Sequence, residues 1–172
     1  MKKLILVLLL TFPVLAMAQN DKVLDIKDLD KRDGMYYDYD NRPYTGKAVQ
    51  MFGELKKAEC EFKNGQIHGM FYRYDKAGTK LAEAEYKFGK MDGPQTHWHP
   101  NGNLKMQGAF KAGQLHGVVK KYNEAGELQE EITWKEGKQI AVRRLKDGEW
   151  EEKSREASEA KSKANAKSGE KR

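Results

Sequence analysis

The sequence has little of what several protein classes require. It has one cysteine, Cys60, so no internal disulfide can hold the fold. Proline occurs only four times, which excludes a proline-rich linker or recognition tract. No serine lies between Gln19 and Trp150; all four (Ser154, Ser158, Ser162, Ser168) fall near the end. A serine nucleophile therefore has no place in the body of the chain. The one long apolar run ends near Leu15, and about 12 apolar residues are too few for a helix that must cross a bilayer, which takes roughly 20. A charge of one sign is missing as well. The formal net charge is +6. Lys2 and Lys3 supply two of these charges. The segment from Glu151 to Arg172, with seven basic and five acidic residues, supplies two more. The body is left with +2. No basic stripe with interleaved aromatics stands out, so no nucleic-acid partner is expected.

The first eighteen residues have the layout of a secretory signal. Lys2 and Lys3 precede the unbroken run Leu4 to Leu10, which Phe12, Val14 and Leu15 extend. Ala16-Met17-Ala18 then offers small residues where signal peptidase reads, so cleavage is expected between Ala18 and Gln19. No cysteine follows for lipid attachment. The expected product is a bacterial exported protein, periplasmic or secreted.

A 24-residue period runs through the body. Phe62, Tyr86, Phe110 and Trp134 recur at that step. So do Gly65, Gly89, Gly113 and Gly137, and so do Gly69, Gly93 and Gly117. Tyr74, Trp98 and Tyr122 form a fourth column, and Gly78, Gly102 and Gly126 a fifth. The units span 46–68, 69–92, 93–116 and 117–140, the first one residue short near Phe52-Gly53. A fifth start follows at Ala141. The lead-in Met35–Tyr39 and Tyr44–Gly46 reads as an atypical hairpin, as the end of a repeat array requires.

Each unit holds two short runs and two turns. In the third, Pro94–His99 and Leu104–Phe110 are separated by Pro100-Asn101-Gly102-Asn103, a strong turn signal. Two strands of about six residues with two turns account for the period. Glycine interrupts every run before a helix could form. Alternation supports strands: Ala82, Ala84 and Tyr86 share one parity, Glu83, Glu85 and Lys87 the other. Tyr72 with Tyr74, and Thr96 with Trp98, pair likewise. The expectation is an all-β, single-layer antiparallel meander with one aromatic and one charged face, and no large closed core. Gly69, Gly93 and Gly117 are read as starting strands after a turn and leaving room for an aromatic ring over the backbone.

The segments Glu61–Gly69 and Ala109–Gly117 resemble MORN repeats, and the Asn101–Leu104 turn with the 24-residue step resembles the MORN-variant class. The lead-in Arg32–Tyr37, followed by Pro43–Gly46, is similar to the start of bacterial MORN-variant proteins known as YwqK-family antitoxins. The resemblance covers roughly residues 33–145. It implies a β-meander with a binding or scaffolding role and protein or phospholipid partners.

The candidate sites are few. His97 and His99 sit at alternate positions of one run and could touch a metal. A site needs three or four ligands, and the matching positions (Arg73, Asp75, Lys121, Asn123) mark these as exposed variable positions, so no metal or other cofactor is expected. His68 and His116 read as turn or strand-end residues. Cys60 shares its column with Ala84, Gly108 and Ile132 and reads as a small buried apolar residue. Glu83 and Glu85 read as outer-face charges rather than a catalytic pair. The binding candidates are the aromatics Tyr72, Tyr74, Tyr86, Trp98, Phe110, Tyr122 and Trp134, as shallow core and as exposed surface. The domain reading is a signal at 1–18, a lead segment at 19–33, a repeat domain at 34–150 and a disordered charged tail at 151–172. Val23, Leu24, Ile26 and Leu29 suit a short element covering the first hairpin. The expected function is a non-enzymatic exported scaffold that binds a protein, antitoxin- or immunity-like, with no small-molecule substrate. The alternative is a peripheral phospholipid-binding module of the cell envelope.

Overall fold

The computed structural model describes residues 23–154. The signal segment with its Ala18–Gln19 junction, and the tail from 155, lie outside the described residues.

Strands follow one another along the chain. They are β1 (Leu24–Asp25), β2 (Asp30–Arg32), β3 (Met35–Tyr37), β4 (Gly46–Phe52), β5 (Leu55–Lys63), β6 (Gln66–Tyr74), β7 (Lys80–Lys87), β8 (Lys90–Trp98), β9 (Leu104–Lys111), β10 (Gln114–Leu115), β11 (Gly117–Tyr122), β12 (Leu128–Lys135), β13 (Lys138–Lys146) and β14 (Glu149–Ser154). One 3-10 turn, Ile26–Asp28, lies between β1 and β2. From β4 to β14 each long strand pairs antiparallel with the next, β10 pairs with β9, and β1 adds to the outer side of β4 in parallel. The expected open meander is therefore observed.

Two kinds of turn alternate. On one border sit two-residue turns at Asn64-Gly65, Phe88-Gly89, Ala112-Gly113 and Glu136-Gly137, both residues in the left-handed region. This geometry twists in step with the strands it joins. The second position is always glycine, which adopts positive φ without penalty. On the other border sit five-residue turns. At Asp75–Thr79 the Asp75 carboxylate accepts from the Ala77 and Thr79 N–H groups. At His99–Asn103 and Asn123–Glu127 the first N–H donates to the last carbonyl. In the first unit Gly53-Glu54 replaces the longer turn, which accounts for its missing residue.

The strands are mostly eight or nine residues long, not six, because Gly69 and Gly93 do not start strands. They lie inside β6 and β8, where three residues face one on the preceding strand. These bulges hold φ of +107° and +141°. What lies over them is a carboxylate: a Cβ on Gly69 would come within 2.3 Å of a Glu61 oxygen, and one on Gly93 within 2.2 Å of a Glu85 oxygen. Among the described residues a ring lies over glycine only at Gly46, beneath Tyr44. The bulge frees a carbonyl that the next hairpin uses. The N–H groups of Gly65, Gly89, Gly113 and Gly137 donate to the carbonyls of Tyr44, Ile67, Met91 and Leu115 at 2.8–3.0 Å. Each tight turn is thus pinned to the strand before its own hairpin.

The lead-in differs from the expected hairpin. Met35–Tyr37 pairs with Asp30–Arg32 around an Asp33-Gly34 turn, and contact with the later segment is one bridge between Tyr37 and Pro43. The lead segment covers the first unit as expected. Leu24 and Leu29 are buried with Tyr44, Ala48, Cys60 and Phe62, and Ile26, Tyr36, Ile67 and Phe71 pack around them. A second cluster of Val119, Ile132 and Val142 closes the far end. The ribbon also continues past Trp150. Residues 151–154, read as the start of a disordered tail, complete β14, where Glu151 and Glu152 face Arg144 and Arg143 of β13.

Candidate functional site

Register assigns each paired side chain of the sheet to one of two faces, because directly opposed residues point the same way. On the front face Ala48, Cys60, Phe71, Ala84, Gln95 and Gly108 form one row. Beside it, toward the tight turns, lie Phe62, Tyr86, Phe110 and Trp134, paired with Ile67, Met91, Leu115 and Gln139. On the other side lie Arg73, Ala82, His97 and Met106. On the back face Glu59, Tyr72, Glu83, Thr96 and Gln107 form a row.

The expected single aromatic face is therefore split. Tyr86, Phe110 and Trp134 belong to the front, with Phe62. Tyr72, Tyr74, Trp98 and Tyr122 belong to the back, with the acids. The ring contacts agree. The Lys56 ammonium lies 4.6 Å from the Tyr74 ring centroid and 2.6 Å from Glu59. The Lys80 ammonium lies 4.7 Å from the Trp98 centroid, 5.5 Å from that of Tyr72 and 2.7 Å from Glu83. Lysine, carboxylate and ring thus recur as a set, two strands apart. The Glu59 and Glu83 hydrogen bonds hold both lysines above the usual ammonium range.

The front face has different electrostatics. Arg73 and Lys105 are exposed and flank His97, whose ring nitrogen is 2.5 Å from the Gln95 amide. Burial, then the two cations, depresses the His97 pKa and favours the neutral imidazole. His99 is not its partner. It opens the five-residue turn, nearly buried, with Nε2 3.0 Å from the Tyr122 carbonyl. The two histidines have different settings, His97 inside β8 and His99 in the turn that follows it. Among the described residues no cluster of three or more His, Cys, Asp or Glu is arranged to hold a metal ion. His68 lies inside β6, its ring 4.7 Å from that of Phe88. Further along, Glu130 is nearly buried between Lys121 (2.7 Å) and Arg144. Burial raises its pKa, but the hydrogen bonds from Lys121 and Arg144 outweigh that and leave it lowered.

Cys60 is 1% exposed. Desolvation first, then the charges of Glu59 and Glu61, pushes its thiol up to about 12. A thiol in that state is no nucleophile near neutral pH. The column Tyr44, Ile67, Met91 and Leu115 went unread in the sequence. Its signal is a 23- then 24-residue step of large apolar residues two before Gly46, Gly69, Gly93 and Gly117.

Comparison with known proteins bears on the repeat. No curated protein matches the sequence. Solved structures give low similarity. The chain shares 8% identity with S. aureus TarM, crystallised with Fondaparinux, α-GlcNAc-glycerol and UDP, at a TM-score of 0.38 over 67% of this chain and 21% of that one. It shares 9% with a GtfA/B complex bound to UDP and GlcNAc, at a TM-score of 0.29 over 78% of this chain and 27% of that one. The chain spans about a quarter or less of the length of these proteins, and likenesses of this size carry no argument. A family model described as MORN repeat variant matches residues 91–112 and 115–136, so two adjacent hairpins of the ribbon, one from the strand pair β8–β9 and one from β10 to β12, are similar to that repeat.

Proposed function

We propose that the ribbon is a non-enzymatic scaffold of the bacterial envelope that binds a protein partner, in an antitoxin- or immunity-like role. The observation that carries this reading is an open sheet whose two faces present ordered rows of Tyr, Trp and Phe between charges. A one-layer sheet leaves such rows to meet another molecule. Aromatic residues beside paired charges are the usual anchors of protein interfaces. The exported, periplasmic setting rests on the Lys2–Ala18 pattern. The phospholipid reading has less support, because Lys56 and Lys80 are each engaged by a glutamate, which weakens their attraction to an anionic surface.

Affinity capture with the mature protein from a periplasmic extract tests the reading. A stoichiometric protein is expected, and its recovery should fall in Tyr74→Ala/Trp98→Ala (back) or Arg73→Glu (front). Recovery of nothing specific, or sedimentation with anionic vesicles alone, would overturn it.

A further inference from the structure

The front face is covered at one end only. Over the first unit the chain supplies its own cover: Leu24, Ile26 and Leu29 lie on Ala48, Cys60, Phe62 and Phe71. This cover is a short segment, VLDIKDLD, whose apolar residues alternate with Asp25, Asp28 and Asp30. It stops at Phe71. The apolar row goes on: the Tyr86 ring lies 5.9 Å from that of Phe71, and Met91, Phe110 and Leu115 follow at half-buried positions. At the strand spacing, the uncovered stretch from β6 to β10 runs about 20 Å.

Charge marks one border of that stretch. Arg73 and Lys105 are exposed around His97, and neither takes part in an ion pair with any described residue. The acids of these units (Glu59, Glu83, Glu85) lie on the opposite face. Two front-face cations of the later strands are matched: Lys121 and Arg144 both hold Glu130.

We propose that the front face from Phe71 to Leu115 is the docking surface for a short acidic amphipathic segment of the partner protein. The proposal rests on the binding reading above. Apolar side chains of the incoming segment would continue the cover that Leu24, Ile26 and Leu29 give the first unit. Its carboxylates would meet Arg73 and Lys105, which have no such counter-charge in the chain. A basic or wholly apolar segment would leave those two cations unmatched or repelled.

Panning a displayed library of random short peptides against the full mature chain tests this. The selected peptides should alternate apolar residues with Asp or Glu. A synthetic peptide of the selected sequence should lose about tenfold or more in affinity against Arg73→Glu/Lys105→Glu and keep it against Arg73→Lys/Lys105→Arg. Its binding should weaken as salt rises. Selection of basic peptides, no enrichment, or indifference to the charge reversal would each overturn the proposal. If affinity capture yields a partner that Tyr74→Ala/Trp98→Ala loses and Arg73→Glu keeps, the binding reading stands and this docking surface falls.

Discussion

At the scale of single residues, the tight turns show where the repeat is tuned and where it is not. Their first position takes positive φ whatever the residue: Asn64, Phe88, Ala112 and Glu136 all lie between +48° and +51°. Asn adopts that conformation at less cost than Ala. Ala112→Asn is therefore expected to stabilise the fold by about 1 kcal/mol, read as a higher urea midpoint at unchanged slope. Gly113→Ala, at φ +85°, should act in the opposite sense. Cys60 gives a second expectation. With its pKa pushed up to about 12, it stays protonated throughout the neutral range. The native protein should resist iodoacetamide at pH 8 and react at once when urea unfolds it. Native-state labelling at the rate of a free thiol would contradict the burial described.

At the scale of strands and hairpins, the ion triad around Glu130 joins three strands, β11, β12 and β13. Its two cations are 48% and 61% exposed, so screening limits the gain. Glu130→Gln is expected to cost about 1–2 kcal/mol at pH 7. The pH dependence has a definite sign. The folded-state pKa lies below the ordinary carboxylate value, so the stabilisation is present above that value and is lost as pH falls through the folded pKa. Urea midpoints of the two proteins should differ at pH 7 and converge in acid. Strands and turns were legible in the sequence because glycine columns and parity are local signals. The faces were not. Parity within Leu104–Phe110 is plain, but its relation to Pro94–His99 passes through the turn and a register shift between His97 and Trp98. One extra residue there moves Trp98 to the side opposite Phe110. The same reasoning placed Gly69 at a strand start, since a bulge and a turn leave the same glycine in the sequence.

At the scale of the whole molecule, the hairpins form a line in which each contacts only its neighbours. Removing residues 93–116 joins Asp92 to Gly117, one bulge position to the next, and keeps the count of strands even. The shortened chain is expected to keep the oligomeric state of the parent on size-exclusion chromatography, with a strand-type circular dichroism spectrum. Removing 93–104 instead reverses the direction of everything downstream and should give aggregates on size-exclusion chromatography. The overall architecture was legible because the period is global. The covered front and the bare Arg73–Lys105 border were not, since both depend on where the lead segment stops.

The bonds from Gly65, Gly89, Gly113 and Gly137 to Tyr44, Ile67, Met91 and Leu115 all run in one sense, from each turn back toward the N-terminus. Each hairpin is therefore fastened to its predecessor and leaves its successor to fasten itself. Pulled from the two ends, such a molecule would release its far hairpins first, like a row of latches opened in reverse order, and the portion under the lead segment would let go last.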